Sequence, residues 1–112
     1  MRAYTPDCWK FLKIVSEECG TIYKLMSGNY GGYGGSDDWN INSGIIKITE
    51  TENTYEVHGL SGSVYTCYKN SEKMSGYMES MFNHFVKQIE ESDIRMTMEQ
   101  VSREEVLRRF KV

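Results

Sequence analysis

The stretch 28–44, GNYGGYGGSDDWNINSG, limits what this chain can fold into more than any other. Five glycines fall within eight residues, Tyr30 and Tyr33 lie between them, and Trp39 follows. Glycine is disfavoured inside helices and tolerates positive φ, so the stretch is turn, bulge or close backbone approach. Aromatics between glycines present ring faces and bare backbone together. That suits a long hairpin loop with its tyrosines folded onto a sheet, and it also suits a flat ligand.

On either side of this stretch the pattern is β. Pro6 and Asp7 form an entry turn before a first strand over about 9–15, and 21–27 alternates as a second. Trp39 and Ile41 share one phase and Ile46 and Ile48 the other, a slip that a bulge at Gly44 would produce. Tyr55 and Val57 alternate with Glu56 and His58, Ser61-Gly62 supplies a hairpin turn, and 63–68 is a fifth strand. The connections are short, which predicts an antiparallel meander.

After residue 70 the period changes. Met74, Tyr77, Met78, Met81, Phe82, Phe85, Val86 and Ile89 recur at three- and four-residue spacing, which predicts a helix over about 74–91. Its apolar arc spans roughly half the circumference at ~100° per residue, so a second partner surface beyond one sheet face is implied. Gln88 falls inside that arc and needs a hydrogen bond if buried. The methionines of this helix and of 94–98 suit a plastic core or an adaptable binding surface. Ile94, Met96 and Met98 alternate as a sixth strand over about 94–98. Ser102 and Glu105 then form a capping box, with Val101 and Val106 as its hydrophobic staple, opening a helix over about 103–110. The expected architecture is a single α+β domain over 1–112. It has an antiparallel sheet of about six strands, largely within 9–68, and two C-terminal helices on one side.

Composition narrows the function. Net charge is −3, which weighs against an electrostatic grip on DNA or RNA duplex. No apolar run reaches membrane-span length and the N-terminus has no secretory hydrophobic region, so a cytoplasmic protein with no membrane partner is expected. Cys8, Cys19 and Cys67 form no CxxC pair and are odd in number, so reduced thiols and no metal or cofactor are expected.

The search for catalytic chemistry is largely negative, and no enzyme is expected. Phosphate-loop, dinucleotide, nucleophile-elbow and zinc-protease motifs are missing. Asp37 and Asp38, as strand neighbours, point to opposite faces and read as a solvated turn. Cys67 with His58 on a neighbouring strand is a remote nucleophile pair. Arg103 is the most informative charge. It shares a helix face with Val106, Leu107 and Phe110 and sits where the helix dipole disfavours a cation. It suits either an anion site beside free amides or an ion pair with Glu99 or another nearby acid. Arg109 lies at the edge of that face, and Arg108 points outward.

Three runs, YTPDCW, GNYGGYGGSDDWNINSGI and GLSGSVYTCYKN, resemble those of small phage proteins of the Thoeris anti-defence sponge family. The resemblance implies a non-enzymatic homo-oligomer, dimer or hexamer, acting in the cytoplasm of an infected bacterial host. Such proteins hold the cyclic ADP-ribose-type signal, glycocyclic ADP-ribose, intact and starve the Thoeris effector; some also take up cyclic oligonucleotides. It further implies a ligand site of arginines, an asparagine and an aromatic ring near the C-terminal helices. Carried onto this chain, the ligand-binding residues are Phe82, Asn83, Arg103 and Arg109, although the helical wheel turns Asn83 away from the apolar arc. A second reading is a protein-interaction or virion accessory module that docks a larger protein through the first helix.

Overall fold

The computed structural model describes residues 2–31 and 37–112; the centre of the glycine stretch, with Tyr33, lies outside the described residues. Ten elements follow in order: β1 (Ala3–Tyr4), β2 (Cys8–Ser16), β3 (Gly20–Asn29), β4 (Asp38–Ile41), β5 (Ile45–Glu50), β6 (Thr54–Gly59), β7 (Val64–Tyr68), α1 (Gly76–Glu91), β8 (Met96–Gln100) and α2 (Arg103–Phe110). The chain is α+β, as expected, but its strands form two four-stranded sheets rather than one. Sheet A runs β1-β7-β6-β5 and sheet B runs β4-β3-β2-β8.

The division follows from a corner at 42–44. Each half keeps the expected antiparallel meander, β2-β3-β4 and β5-β6-β7, but β4 and β5 do not pair. Instead, the Asn42 amide donates to the Leu25 carbonyl at 3.0 Å, and its side-chain oxygen accepts from Leu25 N–H at 2.8 Å. The chain then turns through Gly44 at φ +140° into the other sheet. That φ is costly for any side chain with a Cβ. The bulge expected at Gly44 falls just beyond it, as a register shift between Ile45 and Lys47. Ile45 and Ile48 therefore face the core while Ile46 is exposed, which corrects the phase read from sequence.

Two cores result. Trp9, Phe11, Tyr23 and Leu25 of sheet B meet Ile48, Tyr55, Val57 and Cys67 of sheet A in the sandwich interior. Cys8, Leu12 and Met26 project from the other face of sheet B onto Met78 and Phe82 of α1. Thus α1 covers the outside of sheet B. The second helix lies elsewhere, which corrects the expectation of two helices on one side: Val106, Leu107 and Phe110 of α2 pack into the sandwich core. Alternation in β2 explains how one strand serves both layers.

The helix boundaries follow their local signals. Ser75 caps α1 through Met78 N–H, and Ser102 caps α2 through Glu105 N–H. Met78 and Phe82 are buried, Met81, Phe85, Val86 and Ile89 are half-buried, and Gln88 is exposed and needs no buried partner. Among the described residues no helix is long and apolar enough to cross a membrane.

Gly28 is glycine because α1 sits on it. A Cβ there would lie 2.5 Å from Met78 Sδ and 3.2 Å from the Asp38 carbonyl. Gly28→Ala should therefore destabilise the fold by about 1–3 kcal/mol through overpacking. Met78→Ala should cost about 2–5 kcal/mol through a cavity. In denaturant titrations the double variant should lose clearly less than the sum, because the alanine methyl enters space that Met78 vacates. Strict additivity would show that the two residues do not share this contact.

A second consequence concerns pH. Glu50 accepts from Lys111 and Lys69, both at 2.6 Å, and these bonds hold its carboxyl well below the usual range, at about 2. A depressed folded-state pKa stabilises above the unfolded value of 4.5 and is lost as pH falls towards 2. Melting of Glu50→Gln beside the parent protein should show a gap at neutral pH that narrows across that window.

Candidate functional site

The residues carried over from the resemblance do not converge. Phe82 is buried between α1 and sheet B, and Asn83 is exposed on the opposite side of the same helix turn. Arg109 is exposed and lies 5.1 Å from the centre of the Tyr23 ring, on the sandwich side. Phe82 thus belongs to one core and the arginines to the surface of the other.

Arg103 has the surroundings of a structural cation. Its Nε donates to Glu72 Oε1 at 2.7 Å, one terminal nitrogen to the Lys69 carbonyl at 2.7 Å, and the other to the Tyr55 hydroxyl at 3.3 Å. The guanidinium also lies over the Trp9 and Tyr55 rings. Burial disfavours its charge, but the bonds to Glu72 and Tyr55 outweigh that and raise its pKa. The acid is Glu72, not Glu99, and its second oxygen accepts from Lys10 at 3.0 Å. Sequence could not name it, because the 69–75 connection crosses the end of the sandwich, where the Lys73 amide donates to the Trp9 carbonyl.

The remote nucleophile pair is not assembled. Cys67 is fully buried opposite Tyr55, and burial pushes its thiol pKa up. His58 lies three positions further along β6, in the phase that faces away from the core. Asp37 and Asp38 brace the base of the glycine hairpin: Asp37 accepts from Gly31 N–H at 2.9 Å and Asp38 from the Asn29 amide at 3.2 Å.

That base borders a cleft of about 510 Å³ between the sheets. Parallel pairing of β1 with β7 sets Tyr4 opposite Tyr65, and their rings stack at 5.0 Å with 19° between planes. On the facing sheet, pairing of β3 with β4 brings Ser27 beside Asn40 and Gly28 beside Trp39. Asn40 Nδ2 donates to the Tyr65 hydroxyl at 3.0 Å and ties the two walls together. Burial, then the neighbouring Tyr4, raise the Tyr65 pKa. Asp38 is the one acidic or basic side chain in the described lining, where Asn29 and Ser27 add further polar groups.

Such a lining suits stacking and hydrogen bonding to a planar heterocycle; it offers a phosphate no cation. Sequence reasoning passed over Tyr4, Asn40 and Tyr65 because they converge from three distant strands. Each of the runs YTPDCW, GNYGGYGGSDDWNINSGI and GLSGSVYTCYKN contributes residues to the cleft.

Fold and cleft together define a two-sheet α+β protein with an aromatic, amide-lined cleft. No family model matches the chain, and no curated protein or solved structure is significantly similar to it.

The Arg103 geometry predicts a structural phenotype. Arg103→Ala should cost about 2–4 kcal/mol, since Glu72 keeps only Lys10, and the Lys69 carbonyl and Tyr55 hydroxyl each lose a donor. Arg108→Ala, on the exposed side of α2, should stay within about 0.5 kcal/mol of the parent. Chemical denaturation of both variants tests this, and equal small losses would remove Arg103 from the structural framework.

Proposed function

We propose that this chain is a non-enzymatic binding protein that holds a base-bearing nucleotide signal of the cyclic ADP-ribose type, unchanged, with the base in the Tyr4–Tyr65 cleft. Acting in the cytoplasm of a phage-infected bacterium, it would withhold that signal from a Thoeris effector. The observation that carries the reading is the stacked tyrosine pair beside Asn40 and Trp39. Tyr4 is 42% exposed, so a ring surface remains for a base, while Asn40, Ser27 and the Tyr65 hydroxyl supply directional polar groups. Support also comes from the family resemblance, whose three runs meet at this cleft.

The charge pattern orients the ligand. Asp38 disfavours a phosphate beside it, so the base, not the pyrophosphate, is the part of the ligand that this lining suits. Asn83 and Arg109, both exposed, remain available to such a ligand only as a separate site or through a neighbouring chain. Docking of a larger protein through α1 has less to recommend it, since Met78 and Phe82 are committed to sheet B.

Calorimetric titration with glycocyclic ADP-ribose, adenosine and ribose 5-phosphate tests the reading. The first two should bind and the last should not. Tyr4→Ala should weaken binding by about 1–3 kcal/mol, the worth of one base–aromatic stack, while Tyr4→Phe retains it. Material released by heating should have the mass of the ligand supplied. Binding that ignores Tyr4 and falls with Arg109→Ala would move the site to α2, and a cleaved product would make the protein an enzyme.

A further inference from the structure

The β8 edge of sheet B has no neighbouring strand among the described residues. Val101 N–H donates to the Phe11 carbonyl and Glu17 N–H to the Arg95 carbonyl, so the odd-numbered residues of 95–101 bond towards β2. By antiparallel alternation, the backbone groups of Met96, Met98 and Gln100 point away from the sheet, although the Met96 N–H donates locally to the Ile94 carbonyl at 3.2 Å. The far edge of sheet A is treated differently: Val112 N–H donates to the Ile48 carbonyl and Lys111 bridges to the same residue, covering β5. An uncovered edge is a template for another strand.

The sequence of this edge is its own complement. Residues 95–99 read Arg-Met-Thr-Met-Glu. Set antiparallel against a second copy with Thr97 opposite Thr97, Arg95 faces Glu99 at both ends and Met96 faces Met98. In that register each Met98 amide donates to the Met96 carbonyl of the other copy, which uses the groups that point outward. A shift that put Met98 opposite Met98 would set Thr97 against Glu99 and lose both charge pairs. Arg95 has a prior partner, Glu17 at 3.2 Å, but that pair is largely exposed and its exchange costs little.

The ground beside the edge is apolar. Val86 and Ile89 of α1 and Met96 and Met98 of β8, with Glu90 and Thr97 beside them, line a groove of about 200 Å³. A second copy would bring its own methionines over this groove. We infer that β8 is the self-association surface of this protein: two copies pair through residues 95–99 about a two-fold axis at Thr97, joining their B sheets into one of eight strands. This surface is independent of what the cleft binds.

Sedimentation or light scattering should give twice the 13.0 kDa chain mass for the parent protein at about 100 μM. Arg95→Glu and Glu99→Arg should each weaken self-association by about 10- to 100-fold, because two attractive pairs become repulsive. Mixing the two variants should restore a dimer, and so should combining both changes in one chain. Thr97→Cys, with Cys19→Ser, should form a disulfide-linked dimer under mild oxidation. A monomeric parent overturns the inference. So does an Arg95→Glu protein with a normal melt and undiminished association, or a Thr97→Cys protein that stays unlinked.

Discussion

The structure depends on β2 being buried on both faces. Trp9 and Phe11 enter the sandwich while Cys8 and Leu12 enter the layer beneath α1, so one strand belongs to two cores. A strand in that position tolerates few polar side chains, because each buried polar group needs a partner. The exception near its start, Lys10, is answered by Glu72, which also receives Arg103. The polar layer formed by Glu72, Arg103 and the Lys69 carbonyl thus closes the end of the sandwich where the chain crosses from sheet A to α1.

The same layer shows why an arginine that looks poised for an anion need not be one. Arg103 has the first helical position and the inner face that an anion site would use, yet its donors are spent on protein oxygens and its plane on two rings. The cleft between Tyr65 and Asn40 is the converse case. It carries little charge, and its hydrogen-bonding groups are held at the entrance between two sheets rather than enclosed within one core. Under the function proposed for it, recognition there would rest on shape and ring faces, with polar groups setting orientation.

Local signals were legible in the sequence and long-range ones were not. α2 begins at Arg103, where the capping box and staple place its start, because those contacts span only five residues. The Glu105 side chain is an exception: it accepts from the Tyr23 hydroxyl and Lys13, a partnership across the fold. The division into two sheets turns on Asn42 replacing a strand partner for Leu25, which no periodicity announces. β1 is two residues long and pairs in parallel with a strand some sixty positions later, too short to carry a pattern. The cleft inherits that difficulty, since one of its two stacked rings stands on β1.

The placement of β8 also bears on how the chain acquires its fold. β2 and β3 meet through a tight turn at Gly20, but β8 joins β2 from more than eighty residues away. Contacts of such separation form late, because loop-closure entropy must be offset before they stabilise anything. During synthesis β2 therefore emerges with one edge bare, and it stays so until β8, the last of the described strands, leaves the ribosome. Through that interval the nascent chain exposes the strand on which both cores are built. Until then the outer backbone groups of β2 form an unpaired edge, on which a neighbouring nascent chain can pair in place of β8.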